Sequence, residues 1–167
     1  MAEPQSLPSS AGPAPDPDPD GPPPAESASR RAGSQGRVLL VDDDPVNQYA
    51  LGLLLRAAGF EVLIAEGGQA GVEAAAREKP DVVLMDLVMP EVDGYEATRR
   101  LKASPELRGI PVIMLTAAVM PGDWEMGFRA GCDGYLNKPI ETSQLVETLR
   151  HWMGVVGAHP ASGGTGR

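Results

Sequence analysis

Cysteine is almost missing from this sequence of 167 residues. With Cys132 alone, no internal disulfide can form and no zinc cluster can be built. Clustered bases are missing as well: 14 Lys+Arg stand against 23 Asp+Glu, and bases come at most in pairs, Arg30-Arg31 and Arg99-Arg100. A chain with a formal charge of −9 and no basic patch is repelled by phosphate backbones and anionic lipid, which argues against direct nucleic-acid or membrane binding. No apolar run approaches the roughly 18–20 residues of a membrane span, and the first residues lack the basic-then-apolar pattern of a signal peptide. A cytoplasmic protein is the expectation.

What is present is unevenly spread. Nine of the 17 prolines fall in residues 1–36, most of them in Pro13-Ala14-Pro15-Asp16-Pro17-Asp18-Pro19-Asp20-Gly21-Pro22-Pro23-Pro24, where Leu7 is the one large aliphatic residue after Met1. Proline fixes φ and withholds a donor, and so few apolar groups cannot offset ordering entropy, so residues 1–36 are expected to form a disordered, locally polyproline-like tail. Its role is expected to be that of a solubilising leader, with a docking ligand as the sharper reading. Residues 154–167, rich in glycine, read as a second flexible end. The body, 37–153, carries −7 of the −9 charge and has the length of one ordinary domain.

Within the body, short apolar runs alternate with helical patterns. Val38–Val41, Val62–Ala65, Val82–Met85 and Val112–Leu115 have the length and β-branching of buried strands, and Tyr135-Leu136 is a weaker fifth. Val46, Ala50, Leu53, Leu54 and Ala57 recur at helical spacing and define one face of a first helix, opened by Asp44-Pro45 and stopped by Gly59. Asp93-Gly94-Tyr95-Glu96 reads as a capping box. A fourth helix is expected from about Gly122 to Ala130, and a fifth from about Thr142 to Met153 with Leu145, Val146, Leu149 and Trp152 inward. Five strands alternating with five helices predict an α/β fold, a doubly wound parallel sheet covered by helices on both faces.

In such a sheet ligands sit beyond the carboxyl ends of the strands. Strand one ends in Asp42-Asp43-Asp44, strand three in Asp86 and strand four in Thr116-Ala117, while strand five leads into Asn137-Lys138-Pro139. Converging carboxylates repel one another unless a cation neutralises them, and hard oxygen ligands of this kind suit Mg²⁺. A carboxylate can also serve as a nucleophile toward phosphorus, with a lysine and a hydroxyl to hold the remaining oxygens. Asp86, on the central strand, is the candidate acceptor, Lys138 its counter-ion and Thr116 the phosphate-sensing hydroxyl.

Val38 through Asp43, Met85-Asp86-Leu87-Val88-Met89-Pro90, Thr116-Ala117 and Lys138-Pro139 together resemble the receiver domain of two-component response regulators. The intervals are similar to that family's: 43 residues from Asp43 to Asp86, 30 to Thr116 and 22 more to Lys138. The resemblance implies that Asp86 is phosphorylated by a histidine kinase or a histidine phosphotransfer protein. It implies that Asp43, Asp86 and the Val88 carbonyl ligate Mg²⁺ with Asp42 close behind, that Lys138, Thr116 and the Ala117 N–H hold the phosphoryl group, and that Thr116 and Tyr135 form a switch. It also implies a flavodoxin-like, five-stranded sheet in the order 2-1-3-4-5 and a cis bond between Lys138 and Pro139. The segment from Val41 to Gln48 further resembles receivers of hybrid kinases and stand-alone relay proteins. With no output domain after Met153, the expectation is a single-domain response regulator, monomeric or weakly dimeric through the face of helices four and five, that signals to an unidentified downstream protein. Val88 and Ala118, two positions after Asp86 and Thr116, are apolar at sites that govern water attack in the family, so slow self-dephosphorylation is expected.

Blander readings stand beside these. Asp44 is left to helix capping. Cys132 reads as a small buried hydrophobe, Trp124, Phe128 and Trp152 as core or interface aromatics, and Tyr135 could be plain core. A phosphorylation-independent adaptor would tolerate loss of an acid or the lysine, yet Asp42, Asp43, Asp86 and Lys138 are all present. A small-molecule phosphatase with an aspartyl nucleophile would want an acid where Val88 stands.

Overall fold

A computed structural model describes residues 33–117 and 120–157. Both expected tails, up to residue 32 and from 158 onward, and Ala118 lie outside the described residues. The strands are β1 (Arg37–Val41), β2 (Glu61–Ala65), β3 (Val82–Asp86), β4 (Val112–Thr116) and β5 (Gly134–Asn137). The helices are α1 (Pro45–Ala57), α2 (Gly68–Glu78), α3 (Gly94–Ala103), α4 (Asp123–Ala130) and α5 (Thr142–Gly157). All strand pairs are parallel, as the alternation predicts, and the order is β2-β1-β3-β4-β5, as the resemblance implies.

Alternation along each strand builds two cores, one on each side of the sheet. Leu39, Val41, Val83, Met85 and Met114 point toward α2, α3 and α4, where Ala74, Ala97, Leu101 and Ala130 meet them. Val38, Leu40, Leu84, Ile113 and Leu115 point the other way, toward Leu51 and Leu55 of α1 and Leu145 and Leu149 of α5. β1, β3 and β4 are buried throughout, which is why they read as continuous apolar runs rather than alternating ones.

Capping fixes where the helices start. Asp44 Oδ1 accepts from the Val46 N–H at 2.9 Å, with Pro45 in the first turn, as the sequence indicates. Asp93 accepts from the Glu96 N–H at 2.8 Å, while the Glu96 carboxylate turns outward to Arg99 and Arg100, so only half of the expected capping box is made. α5 continues to Gly157, past the expected end near Met153. A lone glycine such as Gly154 weakens a helix by about 1 kcal/mol but does not terminate it.

The inward face of α1 differs from the one the spacing marked out. Val46 is 71% exposed and Leu53 49%, whereas Gln48, Leu51, Gly52 and Leu55 are buried. Among the described residues, no helix is long and apolar enough to cross a membrane.

Candidate functional site

Strand register alone brings the polar strand ends together. Val41 pairs with Met85, so Asp42 and Asp86 are the next residues on adjacent strands. Asp86 pairs with Leu115, placing Thr116 one step further on β4, and Thr116 pairs with Asn137, placing Lys138 one step beyond that. Backbone bonds hold this edge: Leu87 N–H donates to the Leu115 carbonyl at 3.1 Å and Lys138 N–H to the Thr116 carbonyl at 2.7 Å. The Lys138–Pro139 peptide bond is cis.

Asp42, Asp43 and Asp86 form a cluster in which one carboxylate oxygen from each lies within 4.8 Å of the others. Lys138 reaches in from the β5 side, its Nζ 3.0 Å from Asp86 Oδ1 and 3.6 Å from Asp42 Oδ2. Asp42 is wholly buried. Its Oδ1 accepts from the Asp44 N–H at 2.9 Å, and its Oδ2 has no hydrogen-bond partner. Lys138 is close enough to form an ion pair with this oxygen but not to hydrogen-bond it, so the buried atom is incompletely satisfied and leaves a place for a further positive group. Asp43 is exposed, and Asp86 lies at the floor, buried.

Burial pushes the Asp86 carboxyl above its ordinary value; the Lys138 ammonium pulls it down, and the charges of Asp42 and Asp43 act with burial. At Asp86 a single ammonium thus does not offset burial and the two neighbouring negative charges. A divalent cation would do so, and a set of carboxylates with an open side suits Mg²⁺, which takes few protein oxygens and keeps several waters.

Two features of the site were not marked by the sequence pattern. Gln48 is buried in α1, and its Nε2 donates to the Asp42 carbonyl at 2.7 Å, fixing the turn that aims Asp42. Gly94 opens α3 directly against the loop that follows Asp86: a Cβ there would lie 2.4 Å from the Asp86 carbonyl oxygen and 2.9 Å from Leu87 Cα. Gly94 N–H also donates to the Leu87 carbonyl at 3.0 Å, so the loop after Asp86 is strapped to the start of a helix.

The remaining predicted residues take up distinct places. Thr116 is buried at the end of β4, Ala117 is exposed beside it, and the Val88 side chain faces solvent in the loop after Asp86. Tyr135 lies two residues before Asn137, away from the carboxylates. Its hydroxyl donates to the Asp123 carbonyl at 2.7 Å and its ring meets Trp124 at 4.5 Å between centroids. Burial and the neighbouring Cys132 push its hydroxyl well above the ordinary value, so it remains a donor at any physiological pH. Cys132 is buried, in keeping with its reading as a small hydrophobe. Trp152 is half-buried against the core, whereas Trp124 and Phe128 are exposed rather than core.

With this geometry described, comparison with known proteins gives a consistent result. A family model for the response regulator receiver domain matches residues 38–150. The protein PilH of Pseudomonas aeruginosa is 45% identical over 113 residues, covering 68% of this chain and 93% of its own. The polar-differentiation response regulator DivK of Brucella anthropi is 38% identical over 117 residues, covering 70% and 95%. Among solved structures, the receiver domain of a sensor histidine kinase from Pseudomonas aeruginosa superposes with a TM-score of 0.67 at 39% identity, covering 71% of this chain and 98% of that one. That structure carries a magnesium ion coordinated in its active-site cleft.

Proposed function

The chain belongs to the response regulator receiver domain family, a phospho-accepting signalling module of two-component phosphorelays, and from that premise we propose that Asp86 is its phosphoacceptor. The observation that carries the assignment is the convergence of Asp42, Asp43 and Asp86 within 4.8 Å, with Lys138 Nζ 3.0 Å from Asp86 Oδ1. An Asp86 carboxylate oxygen attacks the phosphorus of a phosphohistidine; the O–P bond forms as the P–N bond breaks, and the imidazole leaves and takes up a proton from solvent.

Mg²⁺ held by Asp43, Asp86 and the Val88 carbonyl, with Asp42 behind, would supply the positive charge that lets the acids and the phosphoryl oxygens approach. Lys138 then turns from a partner of Asp86 into a partner of the phosphoryl group, while the Thr116 hydroxyl and Ala117 N–H hold its other oxygens. Movement of Thr116 toward the phosphoryl group gives Tyr135 room to change position, and Tyr135 is tied to the first turn of α4 through Asp123. The charge change is local, and the readout is a shift between two arrangements of the α4 and β5 surface.

The phosphodonor, a histidine kinase or histidine phosphotransfer protein, docks beside Lys138. The exposed Val46, Tyr49 and Leu53 of α1 lie next to a shallow apolar groove lined by Leu54, Pro139 and Ile140, a surface fit for a donor helix. The domain runs from residue 37 to the end of α5 at Gly157, and the exposed apolar Val88 offers no group to orient water, so the phosphoryl group persists; radiolabel decay within seconds would overturn that point.

Incubation with a small acyl phosphate and Mg²⁺ tests the reading. Label enters the native chain, does not enter Asp86→Asn, and does not enter the native chain when the metal is chelated. Label retained by Asp86→Asn would mean that the acceptor is another residue.

A further inference from the structure

The outward face of α4 carries an aromatic surface that the phosphoacceptor chemistry does not use. Trp124 is 46% exposed and Phe128 65%, their ring centroids 6.3 Å apart and their planes tilted by 30°. They stand one turn apart on the helix, and Tyr135 of β5 extends the surface, its ring 4.5 Å from Trp124. Exposed aromatic rings grouped in this way are the usual reading surface for polyproline segments, whose extended helix is already ordered and loses little entropy on binding.

This chain carries such a segment. Pro13–Pro24 holds seven prolines, and Pro19 and Pro22, three residues apart, fall on one edge of a polyproline helix. The described chain begins at Gly33 beside α5: Gln35 Oε1 accepts from Arg150 Nε at 2.9 Å, and a Cβ on Gly36 would lie 2.5 Å from Met153 Sδ. From there the way to α4 runs past the sheet edge at β5, where Gly134 lies against Trp152. Eight residues, nine steps of chain, separate Pro24 from Gly33 and reach about 30 Å when extended, comparable with the width of a domain whose radius of gyration is about 13 Å.

We propose that the proline-rich segment Pro13–Pro24 docks in cis on the Trp124 and Phe128 face of α4. The tether keeps the segment near the domain, so its local concentration at α4 exceeds that of the same peptide supplied free. The segment then covers the face to which Tyr135 connects the acceptor site, and any protein that reads α4 has to displace it. The surface stands on the aromatic geometry alone and does not depend on which residue takes the phosphoryl group.

Nuclear magnetic resonance of the full chain tests this, with the indole N–H signal of Trp124 assigned by its loss in Trp124→Phe. The comparison is a full-length variant with Pro19, Pro22, Pro23 and Pro24 each changed to Ser. The expected result is that the Trp124 indole signal shifts in the proline variant, that core amides such as Leu39 and Leu84 do not, and that the native spectrum is unchanged on dilution. Identical Trp124 signals in the two chains would overturn the proposal. So would a Trp124 signal that moves with protein concentration, because the occupant would then be a second copy meeting α4.

Discussion

Gly127 has room for a hydrogen and nothing larger. A Cβ at that position would lie 1.5 Å from the Tyr135 hydroxyl oxygen and 2.9 Å from Cys132 Sγ, so α4 can lie over β5 only while this residue lacks a side chain. Gly127→Ala is expected to expel Tyr135, break its bond to the Asp123 carbonyl and cost about 1–3 kcal/mol, the usual range for overpacking. Denaturant midpoints measure the cost, and a change in tyrosine and tryptophan emission reports the displaced ring. Beneath it, burial raises the Cys132 thiol above its ordinary value, so its thiolate fraction near neutral pH falls below that of a free thiol. A thiol reagent is therefore expected to react slowly with the native chain up to pH 8 and rapidly once denaturant is added. Fast native labelling would show that Cys132 is not sealed. The crowding was not legible in the sequence, because it depends on α4, β5 and the Cys132 turn meeting at one point, whereas the burial of Cys132 was expected from its residue type.

At the scale of elements, legibility followed from how strongly each segment is committed to one environment. The runs in β1, β3 and β4 are buried on both faces, so composition alone marks them, and β2, at the sheet edge, is only partly buried yet keeps its β-branched run. The acids and the lysine were legible for a related reason: each ends its strand, and parallel register carries all of them to one edge. α1 shows the limit. It carries Val46, Ala50, Leu51, Leu53, Leu54, Leu55 and Ala57, apolar groups almost all round, so spacing cannot say which stripe faces the sheet. The sheet selected Leu51 and Leu55, aided by Gln48, whose amide bonds the Asp42 carbonyl. Truncation separates the two stripes. Leu55→Ala is expected to cost 2–5 kcal/mol of unfolding free energy, roughly the range for a buried leucine, and Val46→Ala to stay within about 0.5 kcal/mol. If Val46→Ala were the costly one, the orientation of α1 would be wrong.

At the scale of the whole molecule, three of the negative charges in the −9 total are held within 4.8 Å of one another, and Lys138 is the cation that meets them. Such a cluster stores repulsion in the folded state that the unfolded chain relieves, so the acids that prepare the site also weaken the fold. A bound cation reverses the balance, because ligand binding to the folded state alone stabilises it by RT ln(1 + [L]/Kd), about 1.4 kcal/mol when the metal is at ten times its Kd. For a domain of this size that is a rise of several degrees in melting temperature. Asp43 is the exposed member of the cluster, so replacing it removes charge without opening a cavity. Asp43→Asn is therefore expected to melt higher than the native chain in chelator, and to lose most of the increment that Mg²⁺ gives the native chain. The two effects have opposite signs in one variant, which general destabilisation or a change in packing would not produce. Thermal melts of both proteins with chelator and with Mg²⁺, at constant ionic strength so that screening does not pass for binding, measure both. An Asp43→Asn chain that responds to Mg²⁺ as the native chain does would place the metal away from this cluster.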